Sequence, residues 1–599
     1  MSSWVGVRER LAVARPPLPE LMACATDIAA LAAEAAASGG AVRRVALAAD
    51  LTPDLLRQAI ACAIAQEGEL ALVHAAPYGV MRQACLDGGS ALHAFEPEVV
   101  VLVPDWRQAL EPLPLDVDAD AVAADTARQV QGFEAIWAAL EARGCRIVQH
   151  LFVPPSAHWR GVADRRSPAS ATRRVQALND ALIDAGAGRV TWLEADRLAA
   201  SVGLAAWAAP RFFHAGKLGF DPRFLPDYLP WFRGAWRATM GRTRKLLVLD
   251  LDDTLWGGTI GDDGLGGIAL GPAHGGKGEA FAAWQQHLAG LAQRGVVLAV
   301  CSKNAPEIAA TGFGHADSAL RREDFAAFVC SWEDKATGLR RIAQELNLGL
   351  DAAVFVDDNP AERALVQQLL PEVAVVDIGT DPAQFIERLE AGHWFDQQAY
   401  TEVDQGRSAA YAALRQARAV QTSSADIGSY LAGLAMQGRA GPALAQDLPR
   451  LAQMELKTNQ FNLTTRRYTQ AQLAAQMQQP DRLVLAFHLK DRFGDHGLVG
   501  SLLAVREAQA LRIDSWLLSC RVFSRGAEAF ILRALILWAR EQGVSALVGE
   551  YLASARNAVV ADLYAKLGFA PLSADGRLWR RDLAAPLDDL TSSIAEASP

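Results

Sequence analysis

The stretch KLLVLDLDDTLWGGTIGDDG, Lys245 to Gly264, ends an apolar run in Asp250, with Asp252 two residues later and Thr254 two further on. Two carboxylates at the end of a buried strand repel each other and lose hydration, so they need a compensating cation. Mg2+ prefers hard oxygen ligands of this kind. Further apolar runs deliver polar groups in the same way. GVVLAVCSKN ends in Cys301, Ser302, Lys303 and Asn304, SWEDKATGL puts Lys335 at a helix start, and VFVDDNPAE carries Asp357 and Asp358. Singly, these are ordinary turn and cap residues. In this order on successive strand ends they supply a carboxylate nucleophile, a metal site, a hydroxyl and a cation for phosphate. That set suits phosphoryl transfer, with Asp250 attacking phosphorus and Asp252 acting as acid and then base. Ser302 and Lys335 complete the expected catalytic group, and Asp250, Asp252 and Asp357 are the expected Mg2+ ligands.

The elements that must position these residues alternate along the chain. RRVALAAD, EVVVLVPD and GCRIVQHLFV read as buried strands separated by helices such as DTARQVQGFEAIWAALEARG. The pattern restarts at GRTRKLLVLDLD and runs to about residue 392, again as strands and helices in turn, which implies parallel sheets with both faces covered. After that, RLVLAFHLKD, GLVGSLLAVRE and ALRIDSWLLSCRV read as consecutive antiparallel strands, followed by the helix GAEAFILRALILWAREQG. The expected fold class is therefore multidomain α/β: an α/β domain at 1–238, a Rossmann-like domain at 239–392, an α+β domain at 393–584 and a frayed polar tail at 585–599. Between Thr254 and Cys301 there is length for a flap and one helix, but not for a large cap over the cleft.

The middle segment resembles the haloacid dehalogenase-like phosphotransferases, with DxDxT at Asp250–Thr254, Ser302 as second motif, Lys335 as third and Asp357–Asp358 as fourth. It is closer still to the FkbH-like branch, through LDLDxTLWGGxxGxDG, CSKN and FxDDNPxER, and the likeness continues in GRTRK, KTNQFNLTTRRYT and DRFGDHGLVG. The resemblance implies an enzyme that loads a glyceryl unit from 1,3-bisphosphoglycerate onto the phosphopantetheine thiol of an acyl carrier protein. Phosphate is lost in the process, and the product serves polyketide extender-unit or tetronate biosynthesis. The implied cofactors are Mg2+ and the carrier's own phosphopantetheine, and Thr254 and Asn304 count among the substrate-binding positions. The competing reading is a Mg2+-dependent phosphatase of a small metabolite fused to a CoA-dependent N-acetyltransferase. A third, a carrier-binding scaffold with decayed centres, is disfavoured by the intact acidic motifs.

WLLSCRVFSRGAEAFILRAL reads as a strand, a turn and a long helix, with Cys520 at the strand end followed by Arg521, Arg525 and Gly526. Backbone amides at such a turn, with the helix N-terminus, form an anion cradle. The stretch resembles the pyrophosphate loop of GNAT acyltransferases, R-x-x-G-x-G/A, with Ser524 where the first glycine belongs. A thiol beside two arginines and a helix N-terminus has a lowered pKa. Cys520 is therefore the expected acyl relay, with Cys301 as the alternative, since alternation along its strand turns Cys301 away from the face that Ser302 presents. His496 in DRFGDHGLVG is a candidate base. The polar run around Asn459, Asn462, Arg466 and Arg467, which ends at the helix cap Thr469, is expected to bind substrate or carrier. With Arg521 and Arg525, its arginines would form a local basic footprint for an acidic carrier.

The N-terminal segment faintly resembles SGNH-type hydrolases in strand order, but AADLTP replaces the serine-bearing turn, so it reads as a non-catalytic scaffold. The 599 residues carry a formal charge of -10, which disfavours nonspecific polyanion binding, and no nucleic-acid partner is expected. Seven scattered cysteines without a CxxC pair argue against a disulfide framework or a zinc site and for a reducing, cytoplasmic setting. No apolar stretch is long enough to span a membrane, and no membrane partner is expected.

Overall fold

The computed structural model describes residues 3–114, 117–157, 160–398, 431–458, 460–492, 494–519, 522, 525–554, 557–588 and 590–597. The chain falls into two compact units, 1–243 with 391–399, and 244–390 with 400–599. No helix among the described residues is long and apolar enough to cross a membrane. The six described cysteines are all free thiols.

The first unit is built on β1 (Arg43–Ala49), β2 (Ala71–Ala75), β3 (Val99–Val103), β4 (Arg146–His150) and β5 (Val190–Leu193). They form one parallel sheet in the order β2-β1-β3-β4-β5. All five residues of β3 are buried, as a central parallel strand between two helical layers requires. One layer packs Ile28, Ile60, Phe232 and Trp236 on the sheet, and the other packs Phe133, Trp137 and Leu182. The segment just beyond residue 390 returns to this unit. Arg237, 2 % exposed, donates from Nη2 to the carbonyls of Gly392 and His393, while its Nη1 pairs with Glu67 at 2.9 Å. A buried guanidinium needs all of these partners, and they hold 391–398 in place.

In the second unit, β6 (Leu246–Leu249), β7 (Val297–Ser302), β8 (Phe325–Cys330), β9 (Ala353–Val356) and β10 (Ala374–Val376) form a parallel sheet in the order β10-β9-β6-β7-β8. The chain moves from β6 outward through β7 and β8, then crosses back to β9 on the other side of β6. That reversal makes the carboxyl ends of β6 and β9 a topological switch point, where a crevice opens. After β6 the chain runs through a flap with a short helix at Ile260–Asp263 and then the helix Gly275–Gln293, so no large cap is inserted there.

The third sheet comprises β11 (Gln437–Pro442), β12 (Arg482–Asp491), β13 (Gly494–Glu507), β14 (Ala510–Leu518), β15 (Ala546–Glu550), β16 (Ala570–Pro571), β17 (Leu578–Asp582) and β18 (Ala595–Glu596). Its order is β16-β17-β15-β14-β13-β12-β11-β18. β12, β13 and β14 are antiparallel neighbours, and the helix Ala527–Glu541 crosses over to make β15 parallel to β14. The expectation of a frayed tail is corrected. Leu590 and Ile594 are buried, β18 pairs parallel with β11, and Ser592 Oγ donates to Gly526 O at 3.0 Å. Two apolar side chains and an open strand edge outweigh the polar composition of this segment.

Close packing of one helix on β7 sets the crevice. An added Cβ at Gly338, in the helix Lys335–Leu346, would lie 2.5 Å from Cys301 Sγ on β7. Alanine normally favours a helix over glycine. Here Gly338→Ala is expected to destabilise the protein by about 1–3 kcal/mol through overpacking. Adding Cys301→Ala should recover most of that loss, as read by chemical denaturation of both variants.

Candidate active site

Asp250 directly follows β6, and its amide donates to Val356 O at 3.0 Å, which ties the β6 end to the β9 end. Lys335 opens its helix and is 2 % exposed. Its Nζ lies 2.7 Å from Asp250 Oδ1 and 3.0 Å from Asp357 Oδ2, and donates to Cys301 O at 2.8 Å. Burial works against the ammonium charge, but Asp250 and Asp357 outweigh it, and the Lys335 pKa is raised. The two carboxylate oxygens face Lys335 as ion-pair partners, yet neither accepts a well-directed hydrogen bond.

Asp250, Asp357 and Asp358 bring ligand oxygens within 4.8 Å of one another. Burial, then the charges of Asp250, Asp357 and Asp253, push Asp358 up to about 6, and burial and Asp250 also raise Asp357. One ammonium cannot balance three carboxylates, and their donor set is entirely hard oxygen. The residues present therefore fit a Mg2+ ion. Thr254 Oγ1 accepts the Asp358 amide at 3.2 Å, and Arg363 donates to the carbonyls of Asp357 and Asp358 while pairing with Asp377 at 2.7 Å.

Asp252 does not join that cluster, which corrects its place among the metal ligands. Its Oδ1 accepts from Trp256 Nε1 and the Ile260 amide, and its Oδ2 from Asn304 Nδ2 at 2.9 Å. Three donors from the flap and the β7 loop already use its side-chain oxygens, so Asp358 takes its position in the cluster. Burial raises the Asp252 carboxyl pKa, the direction a proton donor needs. Asn304 thus orients Asp252. Ser302 ends β7 and is 4 % exposed. Cys301 lies in the apolar layer with Ala336 and Leu339, and burial pushes its thiol up to about 12. Arg363 was missed as a site residue, and Asp358, read as part of the acidic motif, was not among the expected Mg2+ ligands, although both stand in FVDDNPAER.

In the third sheet the candidate binding residues are committed to partners inside the chain. β14 and β15 pair only over Ala510–Ile513 and Ala546–Gly549, and beyond that they part. Phe461–Leu463 fills the gap. The Leu518 amide donates to Phe461 O, the Leu463 amide to Trp516 O, and the Leu552 amide to Leu463 O. Asn462 is 1 % exposed and takes the Thr465 amide at 2.8 Å. Arg466 pairs with Asp514 of β14 at 3.3 Å and Glu550 of β15 at 2.7 Å. Arg467 donates to the carbonyls of Glu455, Leu456 and Thr458 at the end of the helix Leu448–Lys457. Thr469 caps the next helix.

Arg525 and His496 both converge on Asp491 Oδ2, at 2.6 and 2.9 Å, with all three side chains buried. Gly526 has a φ of 76°, which glycine adopts without strain, and its carbonyl accepts from Ser592. Arg466 and Arg525 thus pair with acids inside the chain, and Arg467 donates to internal carbonyls. Asn459, Cys520 and Arg521 lie outside the described residues.

Behind this network sits Glu455, 1 % exposed, with Oε2 unbonded and burial pushing its carboxyl up to about 8. Unfolding returns it to an ordinary value near 4.5, so the folded state holds a proton that the unfolded chain has lost. Stability then falls as pH rises from about 4.5 to about 8 and levels off above. Glu455→Gln is expected to remove that slope and to stabilise the unit by on the order of 2 kcal/mol at pH 8, with little effect at pH 4. Thermal unfolding across this pH range checks it.

Neither a protein family model nor a curated protein matches the sequence. Among solved structures, the chain is similar to the N-terminal part of the protein BF1531 from Bacteroides fragilis, which contains a phosphatase domain complexed with Mg. The match has 25% identity and a TM-score of 0.57, and covers 67% of this chain and 100% of that one. Smaller likenesses include the ribosomal-protein-S18-alanine N-acetyltransferase from Escherichia coli, at 18% identity and a TM-score of 0.20 over 24% of this chain and 94% of that one. Another is PaiA N-acetyltransferase from Thermoplasma acidophilum in complex with coenzyme A, at 13% identity and a TM-score of 0.20 over 24% and 99%. Likenesses of that size bear on neither activity nor ligand.

Proposed function

We propose that this chain is a Mg2+-dependent phosphatase that removes phosphate from a small phosphorylated metabolite, with Asp250 as nucleophile. The observation that carries the reading is the joining of Asp250, Asp357 and Asp358 around the buried Lys335 at a strand switch point. Similarity to a Mg-bound phosphatase structure supports it. A Asp250 oxygen bonds to phosphorus as the bond to the leaving oxygen breaks, and Asp252 gives that oxygen its proton. Asp252, now a carboxylate, takes a proton from the water that attacks the aspartyl phosphate, freeing Asp250 and inorganic phosphate. Lys335, paired with Asp250 at 2.7 Å, neutralises charge on the transferring group. Asp250, Asp357 and Asp358 would hold Mg2+, which would supply further positive charge to the phosphoryl oxygens.

A second reading is the glyceryl transfer that the FkbH-like motifs imply, from 1,3-bisphosphoglycerate to a carrier's phosphopantetheine. Its support is the short insert after β6, which holds no large cap domain. In that reading Cys520 relays the acyl group and the first unit is an SGNH-like scaffold.

Asp250→Asn is expected to lower phosphate release by roughly 10⁴-fold or more, and Asp252→Asn by about 10²–10⁴-fold. Excess EDTA should silence the same step and Mg2+ restore it. Release by Asp250→Asn at the wild-type rate would falsify the assignment. Intact-protein mass spectrometry with 1,3-bisphosphoglycerate and holo carrier separates the two readings. A glyceryl adduct lost in Cys520→Ala favours transfer, and phosphate release with no adduct on either protein favours the phosphatase.

A further inference from the structure

The first unit, read above as a scaffold, contains a cleft at the carboxyl edge of its parallel sheet, the place where such sheets bind ligands. Its lining comes from the ends of β1, β3 and β4 and from the helix Leu225–Thr239, and it opens to solvent at its mouth. Leu51, Val103, Pro154 and Leu225 line it, together with Trp207 and Phe220, whose rings stack at 4.2 Å.

Two polar features interrupt these walls. His150 and Tyr228 are 5 % and 1 % exposed, and His150 Nε2 lies 3.0 Å from the Tyr228 hydroxyl. Burial lowers the His150 pKa to about 3, so the imidazole is neutral, and burial also keeps Tyr228 as a phenol. Nearer solvent, Arg107 Nη1 is bound to both oxygens of Asp105, at 3.2 and 2.9 Å, which cancels its charge locally. Apolar walls, a neutral polar pair and an internally balanced ion pair leave no net charge to hold an ionic ligand, and a charged group would lose its hydration without compensation.

We infer that this cleft is a binding site for an uncharged, largely apolar small molecule, a hydrocarbon or aromatic body carrying at most a neutral hydroxyl, carbonyl or amine. The assignment is independent of the chemistry at Asp250 and adds a ligand-binding role to the first unit.

The test uses the full chain and the uncharged fluorophore N-phenyl-1-naphthylamine. Saturable binding of one equivalent is expected, weakened at least tenfold by Ser156→Trp at the exposed mouth or by Ala208→Trp on the wall. Leu572→Trp, an exposed position in the other unit, should leave it unchanged. Circular dichroism establishes that each variant compared is folded, and either folded wall variant suffices. In competition, 1-decanol should displace the fluorophore at least tenfold more effectively than decanoate. Absence of saturable binding, or equal affinity in a folded wall variant, overturns the site. A stronger effect of decanoate overturns the uncharged ligand class.

Discussion

The buried ammonium of Lys335 between Asp250 and Asp357 is the interaction on which the rest of the second unit's chemistry depends. Two carboxylates facing one crevice from adjacent strand ends are unstable neighbours in a low-dielectric interior. Lys335 makes their proximity tolerable, and its third contact, to the Cys301 carbonyl, fixes the ammonium relative to β7. Asp358 adds a further negative charge to the same crevice, and the compensation is then incomplete. That residual charge is what makes an all-oxygen cluster a place for a divalent cation.

Reaching this geometry demands tight packing well away from the reacting atoms. The helix that starts with Lys335 approaches β7 closely because Gly338 has no side chain opposite Cys301. On the opposite side, Thr254 and Arg363 hold the Asp357–Asp358 turn through backbone groups, so the carboxylates are free to face the crevice. The flap contributes in the same manner. Trp256 and the Ile260 amide hold Asp252 from one side and Asn304 from the other, which separates its carboxyl from those of Asp250, Asp357 and Asp358. Two aspartates only two positions apart thereby acquire different partners.

In the third sheet, polar side chains of one loop are tied into the fold. Its arginines in the KTNQFNLTTRRYT stretch serve the fold. A parallel pair that splays open exposes unpaired backbone on both strands, and the protein covers it with its own Phe461–Leu463 segment. Arg466 then spans the opening by pairing with one acid from each strand. Asn462 and Thr464 are buried in this loop with hydrogen-bond partners inside the chain.

The sequence by itself determined the strand–helix alternation of the first two sheets, the antiparallel run from β12 to β14, the strand-end placement of Asp250, Ser302 and Asp357, and the helix-start placement of Lys335. These follow from local patterns: apolar runs of strand length, a helix start at Lys335, and the acidic pair after VFV. Tertiary structure alone decided which carboxylates share the crevice. Whether Asp252 or Asp358 joins Asp250 depends on donors from Trp256, Ile260 and Asn304, and no spacing rule reveals where those side chains point. The same limit applies to Arg466, whose partners Asp514 and Glu550 come from distant strands, and to the C-terminal residues, which gain their order from the open edge of β11. Local sequence sets backbone periodicity, whereas charge compensation is settled between segments that meet only when the chain folds.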